Sequence, residues 1–571
     1  MKPSVCRLSI PILHLCVALV LGPLVGSPLS AATFKVGSDG ACTHATIGAA
    51  LVAALAAGAD EIRIAQNQTY TNVSLHLTDW SPATVGPLTL VGGFPTCAAA
   101  TPSGWTELLG QAGNPVIDVD TASQATSQVT LRGLQIKGGL EGLRVDGGGR
   151  VSVDASRLVS NVGSGAVVSN GGELTLTVDN EVAFNSNTGV ACFTGSLVNS
   201  AAHIHDNDAT GGGGVSAGSG CEVNLLPQSW VINNQATVGA GIYASSGASV
   251  LVDGVLSGGL GTLVNSNDAV DQGGGIYATG AGTTVTVRNA QVDSNVAGLE
   301  GGGLWAGLGA KIVLDRVTGG CFNPARCSSL SNNQVTQGNS AVPGAAAWAE
   351  SGADIEIYQT FVEGNSVSAT SDNGSVLYAT GAGSTLTVEG LQLWNNLEAD
   401  ALFEGASGAH VQIAFVTASR NVHNGSPVTS PLALSGGSTA TVNSSIFYPN
   451  LPFIVLDSSS ISEVDCVIVS NTTGIGGSFV VTSDPLFVGS TVGNLRLQLA
   501  SPAIDFCDTA QYVPQHDDRD HEARGFDLAV NANGSPGVSG GIYDLGMDEV
   551  RPLFADGFGT GSASAWSTVV P

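Results

Sequence analysis

A phrase of glycines followed by an aliphatic residue, an aromatic residue and an alanine recurs through the middle of the chain. It reads GAGIYA at 239–244, GGGIYA at 273–278 and GGGLWA at 301–306, and weaker versions stand at 344–349 and 374–379. A unit repeated about every 20 to 45 residues is typical of a solenoid, in which each unit forms one coil. The aromatic members, separated by 34, 28, 43 and 30 residues, are Tyr243, Tyr277, Trp305, Trp348 and Tyr378.

A second phrase follows the first: a short run of alternating polar and apolar residues, and then an asparagine. VTV at 285–287 precedes Asn295, and IEI at 355–357 precedes Asn365. Alternation with period two predicts strands, and glycine or asparagine between the runs predicts turns. Stacked asparagines can bond to one another along the axis of a solenoid. Similar asparagines recur at Asn161, Asn187, Asn207, Asn234, Asn267, Asn333 and Asn396.

These patterns predict an all-β fold, a right-handed parallel β-helix (a pectin-lyase-like solenoid) with coils stacked about 4.8 Å apart. An antiparallel sandwich array is the structural alternative. Residues 101–482 are predicted to form the β-helix. Because a solenoid must cover its open ends, residues 33–100, with a helix from Thr46 to Ala57, are predicted as an N-terminal cap. Residues 483–550 are predicted as a C-terminal capping module over the last coil.

The first 32 residues have the features of an export signal peptide. Lys2 and Arg7 precede an apolar stretch from Ile10 to Val25, and small residues at 30–32 provide a cleavage site. An uncleaved transmembrane helix is the alternative, which the prolines and the glycine inside the stretch disfavour. We therefore expect a secreted, extracellular or bacterial cell-surface protein.

Of the 10 cysteines, Cys6 and Cys16 lie in the predicted signal, which leaves an even number in the exported chain and predicts disulfides. Cys321 and Cys327 enclose a short loop and form the best local pair. Two further pairings, Cys42 with Cys97 and Cys466 with Cys507, would fasten the two ends, although other pairings stay open. The two remaining cysteines are Cys192 and Cys221.

The charge balance limits the partners. The 571 residues include 18 Lys and Arg against 46 Asp and Glu, a formal net charge of −28. Such acidity disfavours nucleic acid and anionic lipid, because few cations are present to neutralise phosphates. With 43% hydrophobic residues, the chain is too apolar for a disordered acidic polymer. The expected partner of this expected monomer is a polysaccharide or a host or neighbouring surface protein, and peripheral or anchored placement at an outer membrane is left open.

The recurring phrases resemble those of a known protein class. GGGIYA and GGGLWA, followed by VDSN at 292–295 and FVEGN at 361–365, look like the paired motifs of polymorphic outer membrane proteins. This resemblance covers about residues 235–400 and implies a bacterial surface β-helix. From SDPLFVG at 483–489 to YDLGMDE at 543–549, the chain is similar to the terminal module of choice-of-anchor proteins. The tail at 551–571 resembles their sorting or anchor segments, which implies secretion or surface sorting.

The five aromatic residues of the first phrase, termed the aromatic row, are the first candidate site. If Ile276 points into the core, Tyr277 points outward. The row would then form an outward stripe able to bind a ligand by stacking on sugar rings, or to bind a protein. The alternative is that the five side chains fill a corner of the core or lie beneath long loops.

A group of mixed charge on the early coils is the second candidate site. Polyuronide lyases with this fold use carboxylates to hold Ca²⁺ and an Arg or Lys to remove a proton. Salt bridges along stacked coils are the alternative explanation. The candidate catalytic residues are Arg132, Lys137, Arg144, Arg157, Asp146 and Asp154.

The stretch HDDRDHEARGFD at 516–527 is a candidate metal site, with Asp517, Asp518 and Asp520 as potential Ca²⁺ ligands. Its spacing departs from that of a calcium-binding loop. A capping role, with Arg524 paired to Asp544, is the preferred interpretation, so no cofactor is expected and Ca²⁺ is the open option.

Alternate strand positions place His203 and His205 on one face, where they could bind a metal or simply form a solvated strand end.

Two classes of function agree with all these patterns. The favoured one is a secreted or cell-surface β-helix that serves adhesion or glycan binding without catalysis. The alternative is a polysaccharide lyase or hydrolase that acts on an acidic polysaccharide.

Overall fold

The computed structural model describes residues 33–57, 61–77, 87–120, 128–254, 261–316, 328–337, 344–367, 374–423, 425–426, 429–507, 512–520, 522–526 and 542–551. The predicted signal peptide, the predicted Cys321–Cys327 pair and nearly all of the predicted tail lie outside the described residues. In the described part of the chain, no helix is both long enough and apolar enough to cross a membrane.

One coil shows how the chain is wound. It contributes Ile276–Thr279 to a first face, Thr284–Arg288 to a second face, Gln291–Asp293 to a third face and Val296–Ala297 to a corner. The next coil repeats this course in parallel register, with Tyr277 beside Trp305 and Val292 beside Leu330. The predicted right-handed parallel β-helix is therefore confirmed, and the antiparallel sandwich is wrong.

The strands of each face stack along the axis of the helix. The first face comprises Leu75–His76, Ile117–Asp120, Leu143–Asp146, Ala166–Val168, Val190–Cys192, Val215–Ala217, Ile242–Ser245, Ile276–Thr279, Leu304–Gly307, Gly344–Glu350, Ser375–Thr380, Ala401–Ala406, Ser430–Leu434 and Ile454–Leu456. The corner comprises Asp208–Gly211, Gln235–Val238, Asp268–Gln272, Val296–Ala297, Gln334–Val335 and Ser366–Val367.

The second and third faces form one continuous sheet, because the strands Thr439–Phe447 and Ile461–Val469 run through both. The second face also includes Thr33–Val36, Glu61–Ala65, Leu88–Phe94, Gln128–Arg132, Arg150–Asp154, Glu173–Leu176, Leu197–Ser200, Glu222–Leu225, Ser249–Asp253, Thr284–Arg288, Lys311–Asp315, Asp354–Tyr358, Thr385–Glu389 and His410–Ala414. The third face also includes Tyr70–Val73, Thr106–Gly110, Leu134–Lys137, Arg157–Val159, Glu181–Ala183, His203–His205, Trp230–Ile232, Leu263–Asn265, Gln291–Asp293, Ser329–Ser331, Phe361–Glu363, Gln392–Trp394, Thr417–Ser419 and Ser478–Val481.

The core lies inside the coils and is built from alternate strand residues. Ile276, Val285 and Val292 point inward and are fully buried, and they belong to one apolar cluster that extends from Val36 to Val469. Burial of this continuous apolar surface is the main stabilising contribution, at about 25 cal/mol for each Å² removed from water.

The helix Ile47–Ala57 forms where the sequence predicts it, and the backbone N–H of Ala49 donates to the Thr46 hydroxyl at its start (3.2 Å). The strand Thr33–Val36 pairs in parallel with Glu61–Ala65, and that strand pairs with Leu88–Phe94. The parallel sheet thus begins inside the segment predicted as an N-terminal cap.

A ladder of buried asparagines follows the third face. Except in the last member, each side-chain Nδ2 donates to the Oδ1 of the asparagine in the next coil, at 2.8–3.1 Å. The ladder satisfies polar groups that the tight turn would otherwise bury without partners. Its members are Asn161, Asn185, Asn207, Asn234, Asn267, Asn295, Asn333, Asn365, Asn396 and Asn421.

One predicted ladder position is wrong. Asn185 occupies the ladder, whereas Asn187 is exposed in the turn that follows. In every coil of the ladder, the third-face strand is followed by one residue with left-handed φ, and the ladder asparagine comes directly after that residue. Asn185 stands at this position and Asn187 does not. The left-handed residues, with φ between 52° and 63°, are Ser160, Phe184, Asp206, Asn233, Ser266, Ser294, Asn332, Gly364, Asn395 and Arg420.

The C-terminal segment, residues 483–551, comes after the last coil in the sequence, and its described residues pack against the sides of earlier coils. Trp394 Nε1 donates to the Ser490 carbonyl (3.0 Å), and Gln359 Nε2 donates to the Asp517 carbonyl (2.7 Å). Arg316 Nη1 donates to the Arg519 carbonyl (2.5 Å). The segment therefore runs back along the second and third faces, instead of only covering the last coil as the sequence indicated.

Disulfides link neighbouring parts of this arrangement. The predicted pairs Cys42–Cys97 and Cys466–Cys507 are confirmed, and the second of them joins the strand Ile461–Val469 to the C-terminal segment. Cys192 and Cys221, whose pairing the sequence left open, form a third disulfide between adjacent coils (Cα–Cα 5.9 Å). Disulfides of this kind are consistent with an extracellular protein.

Candidate functional site

The aromatic row is aligned as the repeat predicts. Tyr277 stacks on Trp305 with ring centroids 4.2 Å apart and an interplanar angle of 2°, and Tyr243 stacks on Tyr277 at 5.4 Å. Trp348 stacks on Tyr378 at 4.1 Å. Trp305, Trp348 and Tyr378 are only 3%, 5% and 6% exposed, whereas Tyr243 and Tyr277 are half-buried.

This geometry limits what the aromatic row can bind. A sugar ring stacks on the flat face of an aromatic side chain, but along the row these faces lie against one another. The burial of Trp305, Trp348 and Tyr378 therefore favours the packing interpretation for these three residues. Only Tyr243 and Tyr277 keep partly exposed side chains, and Tyr277 is stacked on both sides, against Tyr243 and Trp305.

Carboxylates border the aromatic row. Trp305 Nε1 donates to Glu300 (3.3 Å), and Trp348 Nε1 donates to Glu350 (3.1 Å). Glu404 follows Tyr378 in the same column, where burial, reinforced by the charge of Asp400, raises its pKa to about 8. Glu404 is therefore protonated in most molecules at pH 7, so an uncharged carboxylic acid follows Tyr378 in the column, with Ala433 next.

The mixed-charge group does not form one site. Arg144 and Asp146 lie on the first face, Arg132 and Asp154 on the second, and Arg157 and Lys137 on the third. Each cation pairs with a carboxylate, at 2.7–2.9 Å. The pairs are Arg132–Asp154, Lys137–Glu107, Arg144–Glu141 and Arg157–Glu181.

These ion pairs favour the salt-bridge interpretation of the mixed-charge group. A base that removes a proton must be free to accept it, whereas each of these four cations is held by a carboxylate. The candidate catalytic residues therefore lie apart on three faces. The four cations and Asp154 are engaged in ion pairs, and Asp146 accepts from the Gly147 backbone N–H and from Asn170 Nδ2.

The acidic stretch near the C-terminus is used for backbone bonding. Asp518 is buried and accepts the backbone N–H groups of Asp520 (2.9 Å), Glu522 (2.7 Å) and Glu549 (3.1 Å). Asp520 pairs with Arg496 (2.6 Å), and the Asp517 side chain is exposed. The carboxylate oxygens of Asp518 and Asp520 thus already have partners, which favours the capping interpretation over a Ca²⁺ site.

Arg524 does not pair with Asp544, so this predicted ion pair is wrong. Its guanidinium donates to the carbonyls of Gly546 and Met547 (2.9 Å each) and lies over the ring of Phe415. Asp544 instead accepts backbone N–H groups, among them that of Asp505 (2.8 Å). The planar guanidinium thus donates hydrogen bonds to two carbonyls where the chain turns. The spacing of residues in the sequence does not indicate contacts of this kind.

A surface that the sequence patterns missed lies on the third face of the early coils. Pairing in register places Arg157, Glu181, His203 and Trp230 in one outward column, each in the next coil. Their spacing of 24, 22 and 27 residues matches one coil each, which is the signal that could have revealed the column. His203 and His205, which the sequence indicated as either a metal pair or a solvated strand end, belong to this surface.

The contacts along this surface are continuous. The Arg157 guanidinium lies 3.9 Å from the ring centroid of Trp105 and pairs with Glu181 (2.9 Å). Glu181 in turn lies 3.4 Å from Nε2 of His205, whose ring meets Phe184 edge to face at 5.6 Å. We term this group, with His203 and Trp230, the Trp105 cluster.

Aromatic side chains in the Trp105 cluster are open to solvent. Trp105 is 42% exposed and Phe184 is 55% exposed. His203 stacks on Trp230 with centroids 4.2 Å apart, and burial, reinforced by the nearby charge of His205, lowers the pKa of His203. His203 is therefore neutral at pH 7 and stacks as an uncharged ring.

The third face is open at the cluster and covered farther along. Arg519 of the C-terminal segment lies over Phe361, 4.9 Å from its centroid, and Met547 bonds to Thr417 (3.0 Å). The column from Arg157 to Trp230 precedes these coils and has no such contact among the described residues. The Trp105 cluster is thus the exposed part of a face whose later part binds the chain's own C-terminal segment.

Comparisons with known proteins address the fold. Residues 141–318 match the model of a protein family described as a right handed beta helix region. A comparison with curated proteins found no match. The crystal structure of pectate lyase Pel9A is similar over 91% of this chain and 98% of that chain, at 11% sequence identity and a TM-score of 0.20, which is too low to bear on activity. The family match and the stacked parallel sheets agree that the chain folds as a right-handed parallel β-helix.

Proposed function

We propose that this protein is an extracellular β-helix that binds a neutral polysaccharide at the Trp105 cluster, without catalysis. The observation that carries the proposal is the open, continuous run of rings and polar groups from Trp105 to Trp230 on the third face. Exposed rings provide apolar surface for sugar rings, and the neighbouring polar groups can bond to hydroxyls. Because the run follows the axis of the helix, an extended polysaccharide chain fits it better than a compact ligand.

The charges favour a neutral polysaccharide over an acidic one. Arg157, the cation in the middle of the cluster, is already paired with Glu181, and Asp206 lies 2.6 Å from His205. The whole chain carries a formal net charge of −28, so a polyuronide would approach against a repulsive field. Binding of a neutral wall or capsule polysaccharide would serve adhesion, in keeping with the resemblance to bacterial surface and choice-of-anchor proteins.

The test is affinity electrophoresis of the full-length protein in gels that contain xylan, mixed-linkage β-glucan, galactomannan, alginate or polygalacturonate. We expect stronger retardation by at least one neutral polysaccharide than by either of the two polyuronides. Trp105→Ala and Phe184→Asn should abolish the retardation, because each removes an exposed ring from the cluster. Phe193→Ala is the matched control, since Phe193 is 36% exposed and lies outside the cluster.

Other outcomes would contradict this function. Retardation that persists in both cluster variants, or that disappears in the Phe193 control, would move the binding surface elsewhere. Loss of retardation in Tyr243→Ala and Tyr277→Ala alone would assign it to the aromatic row. Ultraviolet absorbance from unsaturated products of a polyuronide, abolished by Arg144→Ala or Arg157→Ala, would instead establish the alternative, a polysaccharide lyase.

A further inference from the structure

We propose a second binding site, distinct from the Trp105 cluster, for a small sugar acid in a pocket between the last coils and the C-terminal segment. The pocket has a volume of about 390 Å³, within the range of small-molecule sites. The residues that line it include Arg420, Tyr448, Asp484, Gln498 and Ser490. Coils contribute the first two of these residues and the C-terminal segment contributes the others, so the pocket exists only where the segment is docked.

Arg420 provides the charge that defines the ligand. The other arginines considered above pair with carboxylates or donate to carbonyls, as do Arg132, Arg157 and Arg524. Within the described part of the chain, no carboxylate pairs with the half-buried Arg420. A guanidinium with free donors at the wall of a pocket binds a carboxylate through two parallel hydrogen bonds.

The backbone at Arg420 supports this assignment. Arg420 has a φ of 56° and directly precedes the ladder residue Asn421. Most other coils place serine, aspartate, asparagine or glycine at this position, because a larger side chain is strained in the left-handed region. A strained residue that also faces a pocket is characteristic of a functional position.

The remaining side chains select a sugar acid over a simple anion. Tyr448, half-buried, and Pro449, exposed, provide apolar surface for one face of a pyranose ring. One oxygen of Asp484 accepts the Leu486 N–H (2.9 Å), which leaves the other oxygen for a ring hydroxyl. Gln498 donates to the Phe487 carbonyl (2.9 Å) and can accept from a second hydroxyl. A ligand with one carboxylate and several hydroxyls, a hexuronate, uses all of these groups.

The test is isothermal titration calorimetry of the full-length protein with glucuronate, glucose and inorganic phosphate as probes. We expect glucuronate to bind at least about tenfold more tightly than glucose or phosphate. Arg420→Asn should remove glucuronate binding and still fold, because Asn233, Asn332 and Asn395 occupy the same position in other coils. Ser266→Asn is the matched control, since it places the same residue at the equivalent position of a coil outside both proposed sites and should leave glucuronate binding intact.

Three results would overturn the proposal. They are the absence of heat with glucuronate, equal affinity for phosphate and glucuronate, and unchanged glucuronate affinity in Arg420→Asn. Circular dichroism and a thermal melt of each variant separate loss of binding from loss of folding. Because the polysaccharide test uses Phe184→Asn and this one uses Arg420→Asn, failure of either proposal leaves the other standing.

Discussion

Phe184 and Arg420 occupy equivalent backbone positions in different coils: each is the left-handed residue directly before a ladder asparagine, with φ of 57° and 56°. Most other coils have a small or polar residue there. The two large side chains at this position lie at the two proposed binding sites. Both sites therefore depend on the same departure from the repeat.

Replacing either residue by asparagine should not weaken the fold. The left-handed region costs a large L-residue about 1–2 kcal/mol, and asparagine tolerates it better. We expect Phe184→Asn and Arg420→Asn to leave the free energy of unfolding unchanged or raise it by up to about 1 kcal/mol, measured by denaturant titration. The reverse change, Ser266→Phe, should lower it, and a gain in stability from that variant would contradict the explanation.

The asparagine ladder should be sensitive to a single truncation. Asn267 accepts from the backbone N–H and the side chain of Asn234 (3.1 Å each) and donates to Asn295 (2.9 Å). Asn267→Ala leaves these buried groups without partners, which should cost about 3 kcal/mol or more in the free energy of unfolding. Asn187→Ala, at an exposed asparagine, should change it by less than about 0.5 kcal/mol. Equal effects of the two variants would show that the ladder adds no stability.

The buried aromatic row should contribute to stability more than to binding. Trp305 is buried against Tyr277 and lies beside Trp348. Trp305→Ala should lower the free energy of unfolding by about 3–5 kcal/mol, because it leaves a cavity under the stacked rings. Polysaccharide retardation, measured at a temperature where the variant is folded, should match that of the native protein. A folded Trp305→Ala protein that no longer binds would restore the row as the ligand-binding face.

The C-terminal segment should dock more firmly at mildly acidic pH. Burial raises the pKa of Asp548 to about 6 and that of Glu549 to about 7, above values near 4 for unfolded carboxyls. The folded protein thus holds these protons more tightly, so their stabilising contribution is complete below about pH 4 and is lost as the pH rises through about 6 and 7.

The urea midpoint should accordingly be higher at pH 5 than at pH 8. The lower net negative charge of the whole protein at pH 5 also raises the midpoint. An isosteric variant is therefore needed to measure the contribution of Glu549 separately. Glu549→Gln should reduce the difference between the two midpoints, whereas Glu463→Gln, at an exposed carboxylate, should not. An unchanged difference in Glu549→Gln would remove Glu549 from the explanation.

Chelation should not alter the stability of the C-terminal segment. Asp518 and Asp520 are bonded to backbone N–H groups and to Arg496. We therefore expect the thermal transition to be the same with and without EDTA. A lower transition in EDTA, restored by excess Ca²⁺, would reinstate the metal site at Asp517, Asp518 and Asp520.

The repeat in the sequence was sufficient to predict the stacked coils, because a parallel β-helix places equivalent residues in columns at a constant spacing. Tyr243, Tyr277 and Trp305 line up as their shared phrase requires. The same reasoning misplaced one ladder residue, since Asn187 and Asn185 both follow the strand closely. Only the left-handed φ of Phe184 distinguishes them.

By itself, then, the sequence determined the winding of the chain and the inward and outward alternation, both of which depend on periodicity. It suggested the disulfides Cys42–Cys97 and Cys466–Cys507 but left other pairings open, and the structure decided between them. The tertiary structure decided which outward columns are open. It buried Trp305 and Trp348, laid the C-terminal segment over Phe361 and Thr417, and left Trp105 and Phe184 exposed. These differences arise because the exposure of a face depends on which other segments of the chain pack against it. The repeat within the coils does not predict those contacts.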